Sequence, residues 1–146
     1  MKKGFTLIEL LIVMVVVAVL VTITAPKYKV AMEKGRGLEG IHNAQAISDA
    51  LNAFYVKDGN MYYEKRMQSA MDAAGQTKSK YFSCGIREGN NDYQNVLCER
   101  LTGRYSIEFQ NIDGEIAERV CYGDERYCKA LGAVNLTGTT GIWSFD

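Results

Sequence analysis

The chain has 146 residues, with 17 basic and 17 acidic, so its formal charge is zero and no net field steers it towards nucleic acid. Its length allows one domain, and a single proline excludes a disordered, proline-rich protein. One histidine and four cysteines without a C-x-x-C pair argue against zinc.

In chain order, Met1-Lys2-Lys3-Gly4 precedes an apolar run from Phe5 to Ala25, 21 residues in which Glu9 is the only ionisable group. A helix of that length spans roughly 30 Å, the hydrocarbon thickness of a bilayer. A carboxylate inside it costs about 2.5–3.5 kcal/mol on insertion scales, so it needs a partner or a function. Lys2 and Lys3 orient such a helix with its N-terminus in the cytoplasm. An uncleaved signal anchor has no use for Glu9 or for the glycine before Phe5. A secretory signal cut near Thr24-Ala25 lacks a small-x-small pair and would be followed directly by Pro26.

The string Gly4-Phe5-Thr6-Leu7-Ile8-Glu9 resembles the prepilin cleavage and methylation motif of type IV pilins and of type II secretion pseudopilins. The resemblance is specific over residues 1 to about 30 and only architectural beyond them. It implies that a membrane-embedded prepilin peptidase cuts after Gly4 and methylates the new amine on Phe5. It also implies that Glu9 attracts the N-terminal amine on Phe5 of a neighbouring subunit, so these two residues carry filament assembly. Opposite charges in a low-dielectric filament core attract more strongly than in water, and neither stays unpaired cheaply. A subunit offering its amine to one neighbour and its carboxylate to another polymerises head to tail.

Beyond Pro26 the pattern becomes amphipathic, with Val30, Leu38, Ile41, Ala44, Ile47, Leu51 and Phe54 at spacings of three and four, and the helix is expected to end near Val56. His42 is expected to make a polar contact under the head. Pro26 removes a backbone donor, which predicts a helix kink or a melted stretch over 23–26. Gly35, Gly37 and Gly40 weaken the helix by about 1 kcal/mol each, which fits close packing against the head, or alternatively a hinge. Lys57-Asp58-Gly59-Asn60 supplies the stop.

Tyr62–Ala74 is partly helical in pattern, and Gln76–Asn95 reads as a polar loop leading to the sheet. Arg104–Ile112 and Glu115–Tyr122 flank Asp113-Gly114, a hairpin signal. Pairing Ile112 with Glu115 puts Ile107 opposite Val120 and Tyr105 opposite Tyr122 on one face, towards the helix. On the other face Glu108 lies opposite Arg119, and Cys121 stands beside Ser106, pointing outwards. A turn through Gly123-Asp124 brings Cys128 back to Cys121, and Cys84 is expected to pair with Cys98, tying the polar loop to the segment entering the sheet; crossed pairings stay open. Gly141–Phe145 closes the sheet as a last strand.

No catalytic set emerges, because His42 and the serines have no partner at a meaningful spacing; the chain reads as no enzyme, with no cofactor and no metal. Pseudopilins of type II secretion bind calcium in C-terminal loops, but Asn90-Asn91-Asp92, Asp113 and Asp124-Glu125 are accounted for as turns. Lys78, Lys80 and Arg87 are too sparse for a nucleic-acid stripe.

The expected fold class is α+β, a pilin fold with a long N-terminal helix packed on a small antiparallel β-sheet head. The expected division is a leader over 1–4, a membrane and filament-core helix over 5–25, an amphipathic continuation over 26–56 and a disulfide-bearing head over 57–146. What the resemblance implies is a structural subunit of a type IV pilus, a homo-oligomer in a helical filament. Its partners would be the peptidase, the pilus assembly machinery and, before assembly, the inner membrane. A pseudopilin, or a membrane-anchored periplasmic module that never polymerises, are the alternatives.

Overall fold

The computed structural model describes residues 4–58, 68–69, 71–72, 78–87, 93–135 and 140–145. Helix α1 spans Leu7–Asp58, 52 residues and roughly 78 Å at the usual rise. Six strands follow: β1 (Phe82–Arg87), β2 (Tyr93–Arg100), β3 (Tyr105–Ile112), β4 (Glu115–Gly123), β5 (Val134–Asn135) and β6 (Ile142–Ser144). A short helix α2 (Glu125–Leu131) lies between β4 and β5. The sheet is antiparallel throughout, in the order β1-β2-β3-β4-β6-β5. This is an α+β architecture with one long helix laid along a sheet, the pilin-like arrangement that periodicity predicts.

The apolar stripe of α1 explains why the sheet sits where it does. Ala44, Ile47 and Leu51 are fully buried and meet Val96, Ile107 and Phe109 from the sheet. Each of the larger of these side chains contributes about 1.5–3 kcal/mol on burial, so this patch goes far to fix the layers. Leu38 departs from the stripe: it is exposed, as is His42, which therefore does not sit under the head. Leu38 and His42 stand one helical turn apart on the outward face, while the face bearing Gly37 and Gly40 meets the head. A Cβ on Gly40 would stand 2.7 Å from the Phe82 ring, and one on Gly37 would clash with Leu131; Gly35 faces open space. Close packing accounts for two of the three glycines.

Helix α1 continues through Pro26, so the stretch 23–26 is helical in the single subunit. The Thr22 and Thr24 hydroxyls turn back onto the carbonyls of Val19 (2.7 Å) and Leu20 (2.9 Å) just before it. Of the expected helical segment Tyr62–Ala74, residues 68, 69, 71 and 72 are described, and all four are helical; the rest lies outside the described residues.

The expected loop over Gln76–Asn95 is a correction. Within it Phe82–Arg87 forms β1 and Tyr93 begins β2, paired so that Cys84 faces Cys98. Phe82, Cys84 and Ile86 alternate inwards, a period-2 signal hidden among polar residues and glycine.

The hairpin turn is as expected at its tip, where Ile112 pairs with Glu115 and Asp113 and Gly114 both have positive φ. The register then shifts by one residue between Gln110 and Asn111, leaving Ala117 extra on β4. A one-residue slip exchanges the faces of a strand. Ile107 therefore lies opposite Cys121, not Val120, and Tyr105 lies opposite Gly123, not Tyr122. Glu108 lies opposite Val120, and Arg119 lies opposite Phe109, whose ring its guanidinium covers at 5.4 Å. Cys121 points into the core and is fully buried.

With that shift, Cys84, Cys98, Ile107, Cys121 and Trp143 form one inward row across five strands. Cys84 is bonded to Cys98, and Cys121 to Cys128 on α2. Their sequence separations of 14 and 7 correspond to roughly 3 and 2.5 kcal/mol of loop-closure entropy. The bulge costs a ladder contact and places Cys121 and Trp143 in the core, which explains why the shifted register wins.

Candidate assembly site

At the tip of α1, Gly4, Phe5 and Thr6 precede the first helical turn and are exposed. Nothing comes within 4 Å of where a Gly4 side chain would begin. Thr6 and Glu9 form a reciprocal cap. The Thr6 N–H and hydroxyl donate to Glu9 Oε2 at 2.8 and 2.7 Å, and the Glu9 N–H donates to Thr6 Oγ1 at 3.3 Å. Such a box satisfies donors that a helix N-terminus leaves open. Among the described residues nothing bonds to Glu9 Oε1, so one carboxylate oxygen is used within the subunit and the other is available. The signal was present in the sequence, since Thr6-Leu7-Ile8-Glu9 has the S/T-x-x-E spacing, but the resemblance drew attention to Glu9 alone.

From Phe5 to Lys29 every side chain of α1 is exposed, and the apolar part of that stretch packs on nothing in its own chain. Among the described residues this is the one helix long and apolar enough to cross a membrane. An apolar surface of this extent requires lipid or neighbouring helices around it. Pro26 lies 17 residues beyond Glu9, roughly 25 Å along the axis, and the four cysteines lie in the head. The structure therefore brings Gly4, Phe5 and Glu9 together and keeps the disulfides apart from them.

A second cluster joins stalk to head. Glu33 on α1 accepts from Arg100 Nε and from Arg100 Nη2 (3.3 Å) at the end of β2. It also accepts from Arg36 Nη1 (3.2 Å) and from the Tyr105 hydroxyl (3.3 Å). The Arg100 guanidinium holds the Glu33 carboxyl below the usual carboxylate range, against the opposing effect of burial. Burial, reinforced by the Glu33 charge, pushes the Tyr105 hydroxyl well above its ordinary value. Nothing local in the sequence marks these residues, because Glu33 and Arg100 are 67 positions apart. Higher up, the Asn111 amide donates to Ser48 Oγ and the Tyr55 hydroxyl to Asp113, so β3 climbs alongside α1.

On the outer face of the sheet Glu108 is buried, accepts from the Asn95 amide at 2.5 Å and lies 3.9 Å from Arg87. Burial pushes its carboxyl up, and Arg87 opposes this. Among the described residues no three acidic, histidine or cysteine side chains converge as a metal-binding group; Asn90-Asn91-Asp92 lies outside them.

Residues 1–25 match the family described as the prokaryotic N-terminal methylation motif. The chain carries a prokaryotic N-terminal methylation motif. Over 81 residues the pilin-like chain is 31% identical to a type IV major pilin protein, PilE1, of Neisseria gonorrhoeae. That stretch covers 56% of the chain and 37% of the relative, so the match spans a little over a third of the relative's length. No solved structure gives a significant match. The matched motif contains Gly4, Phe5, Thr6 and Glu9, the same residues that stand exposed at the tip of α1.

Proposed function

We propose that this pilin-like chain is the structural subunit of a type IV pilus. It is made as an inner-membrane precursor with the head in the periplasm, cut after Gly4 by the prepilin peptidase and methylated on Phe5. The pilus assembly machinery then moves it into a surface filament. The observation that carries this reading is Glu9: an acid in a bare apolar helix, with one oxygen capping its own helix and the other unbonded. In a filament the free oxygen faces the methylated amine of a neighbouring Phe5, and the pairing sets the axial register. Because the cap uses Oε2, assembly need not uncap the helix. Helix α1 would supply the filament core, with Pro26 the place where it bends or loosens as subunits pack. The PilE1 relative, whose printed name is that of a major pilin, favours a pilus over a pseudopilus.

Mass spectrometry of sheared filaments tests this. The N-terminal peptide should begin at Phe5 and carry one extra methyl, and Glu9→Val should leave processed subunit in the membrane with few or no filaments. Thr6→Val should weaken the cap yet leave assembly largely intact. Normal filaments from Glu9→Val, or an N-terminal peptide beginning at Met1 or Pro26, would overturn the proposal.

A further inference from the structure

The head reaches down α1 to the level at which the apolar stretch ends. Tyr127 of α2 borders one groove with Ala25, Pro26 and Lys29, and a second, of about 320 Å³, with Tyr28, Lys29, Thr102 and Arg104. The second groove opens beside the last residues that a bilayer would cover. Its lining is basic apart from Glu33, and Asp124, outside the lining, also acts on Arg104. The carboxylate lining it, Glu33, is already occupied by Arg100, Arg36 and the Tyr105 hydroxyl. Lys29 and Arg104 are exposed and have no ion pair with a described residue. Arg104 is steadied by Tyr127, which accepts a hydrogen bond from it and lies under its guanidinium at 5.5 Å. Tyr28 is exposed on the same side.

We infer that Lys29, Arg104, Thr102 and Tyr28 form a collar that binds the phosphate of anionic phospholipid head groups. The lipid belongs to the leaflet from which the head emerges. The inference rests on the reading that residues 5–25 span a membrane before assembly. Two cations and a hydroxyl around one groove match a phosphodiester, and the exposed Tyr28 at the rim suits the interfacial zone. Bound lipid would hold the head against the surface and keep the subunit in one orientation until it is extracted. In the filament, where lipid is gone, the same cations become free for acidic groups of other subunits. Recruitment of the subunit and its release from lipid would then compete for one surface.

The test uses the full-length protein reconstituted in vesicles of equimolar phosphatidylcholine and phosphatidylglycerol, extracted in mild detergent, with co-purifying lipid quantified. Wild type should retain phosphatidylglycerol preferentially, and the preference should fall with salt. Each basic residue near an anionic surface is worth about fivefold in affinity, so Lys29→Gln/Arg104→Gln should reduce the preference by roughly 25-fold. Lys29→Gln alone, on an exposed side chain without an intramolecular partner, should cost about fivefold and guards against misfolding of the double variant. Equal retention of both lipids by wild type, or an undiminished preference in the variants, overturns the collar. Displacement of phosphatidylglycerol by millimolar inorganic phosphate also overturns it, since the site would then serve free phosphate. Loss of self-association in the double variant with unchanged lipid retention would assign the groove to subunit contact instead. Carbonate extraction separates the two readings. A chain released from vesicles refutes membrane insertion and the collar together, whereas one that stays without lipid preference refutes the collar alone.

Discussion

Glu33→Gln should loosen the head from its stalk. The Glu33 and Arg100 side chains are 8% and 4% exposed, so neither charge has water to fall back on. Removing one partner of a buried pair costs about 3–5 kcal/mol, most of it from the charge left behind. The lower end applies here. Arg100 keeps its hydrogen bond to the Tyr81 carbonyl at 2.9 Å and its stacking over the Tyr81 and Phe82 rings at 5.2 and 5.5 Å. A loss of about 3 kcal/mol in a head of this size lowers the thermal midpoint by roughly 12–24 °C. Near-UV circular dichroism of the detergent-solubilised chain reads the aromatic core of the head without the bare helix. Glu33→Gln/Arg100→Met should recover most of the loss, because the uncompensated charge goes with it. The pH dependence has a definite sign. The folded carboxyl titrates below its ordinary 4.5, so the stabilisation is complete above that pH and disappears as pH falls through the lowered value. A midpoint unchanged in Glu33→Gln, or a double variant as unstable as the sum of its single changes, would refute this account of the clamp.

The glycine positions separate packing from flexibility. Gly40→Ala should lower the midpoint, since the new methyl meets the fully buried Phe82 ring and overpacking costs about 1–3 kcal/mol. Gly35→Ala, facing open space, should raise it by up to about 1 kcal/mol of helix propensity; equal gains at both sites would remove the close approach. Glu108→Gln should stabilise the head at neutral pH. A carboxyl whose folded value is raised contributes stability that is complete below 4.5 and lost as pH rises through the raised value, so the gain should vanish in acid. Thermal melts at both pH values check this, and destabilisation at neutral pH would mean that Arg87 fully compensates the charge.

The sequence by itself determined the long helix, its apolar first half, the hairpin tip at Asp113-Gly114 and the N-terminal methylation motif that contains Gly4, Phe5 and Glu9. Each is written in a local pattern: an unbroken apolar run, a three-and-four spacing, a turn dipeptide, a six-residue motif. Local chemistry was also where the Thr6–Glu9 cap could have been found, three residues apart. The tertiary structure decided the rest. It turned the polar stretch around Cys84 into an edge strand, inserted a bulge at Ala117, and swung Cys121 from the solvent face to the core. It also joined Glu33 to Arg100 and left Leu38 and His42 outside. These outcomes depend on which residues pack against each other across the sheet and helix. A strand register or a buried ion pair is chosen by the burial it permits in contacts far apart along the chain, and no local window contains that balance.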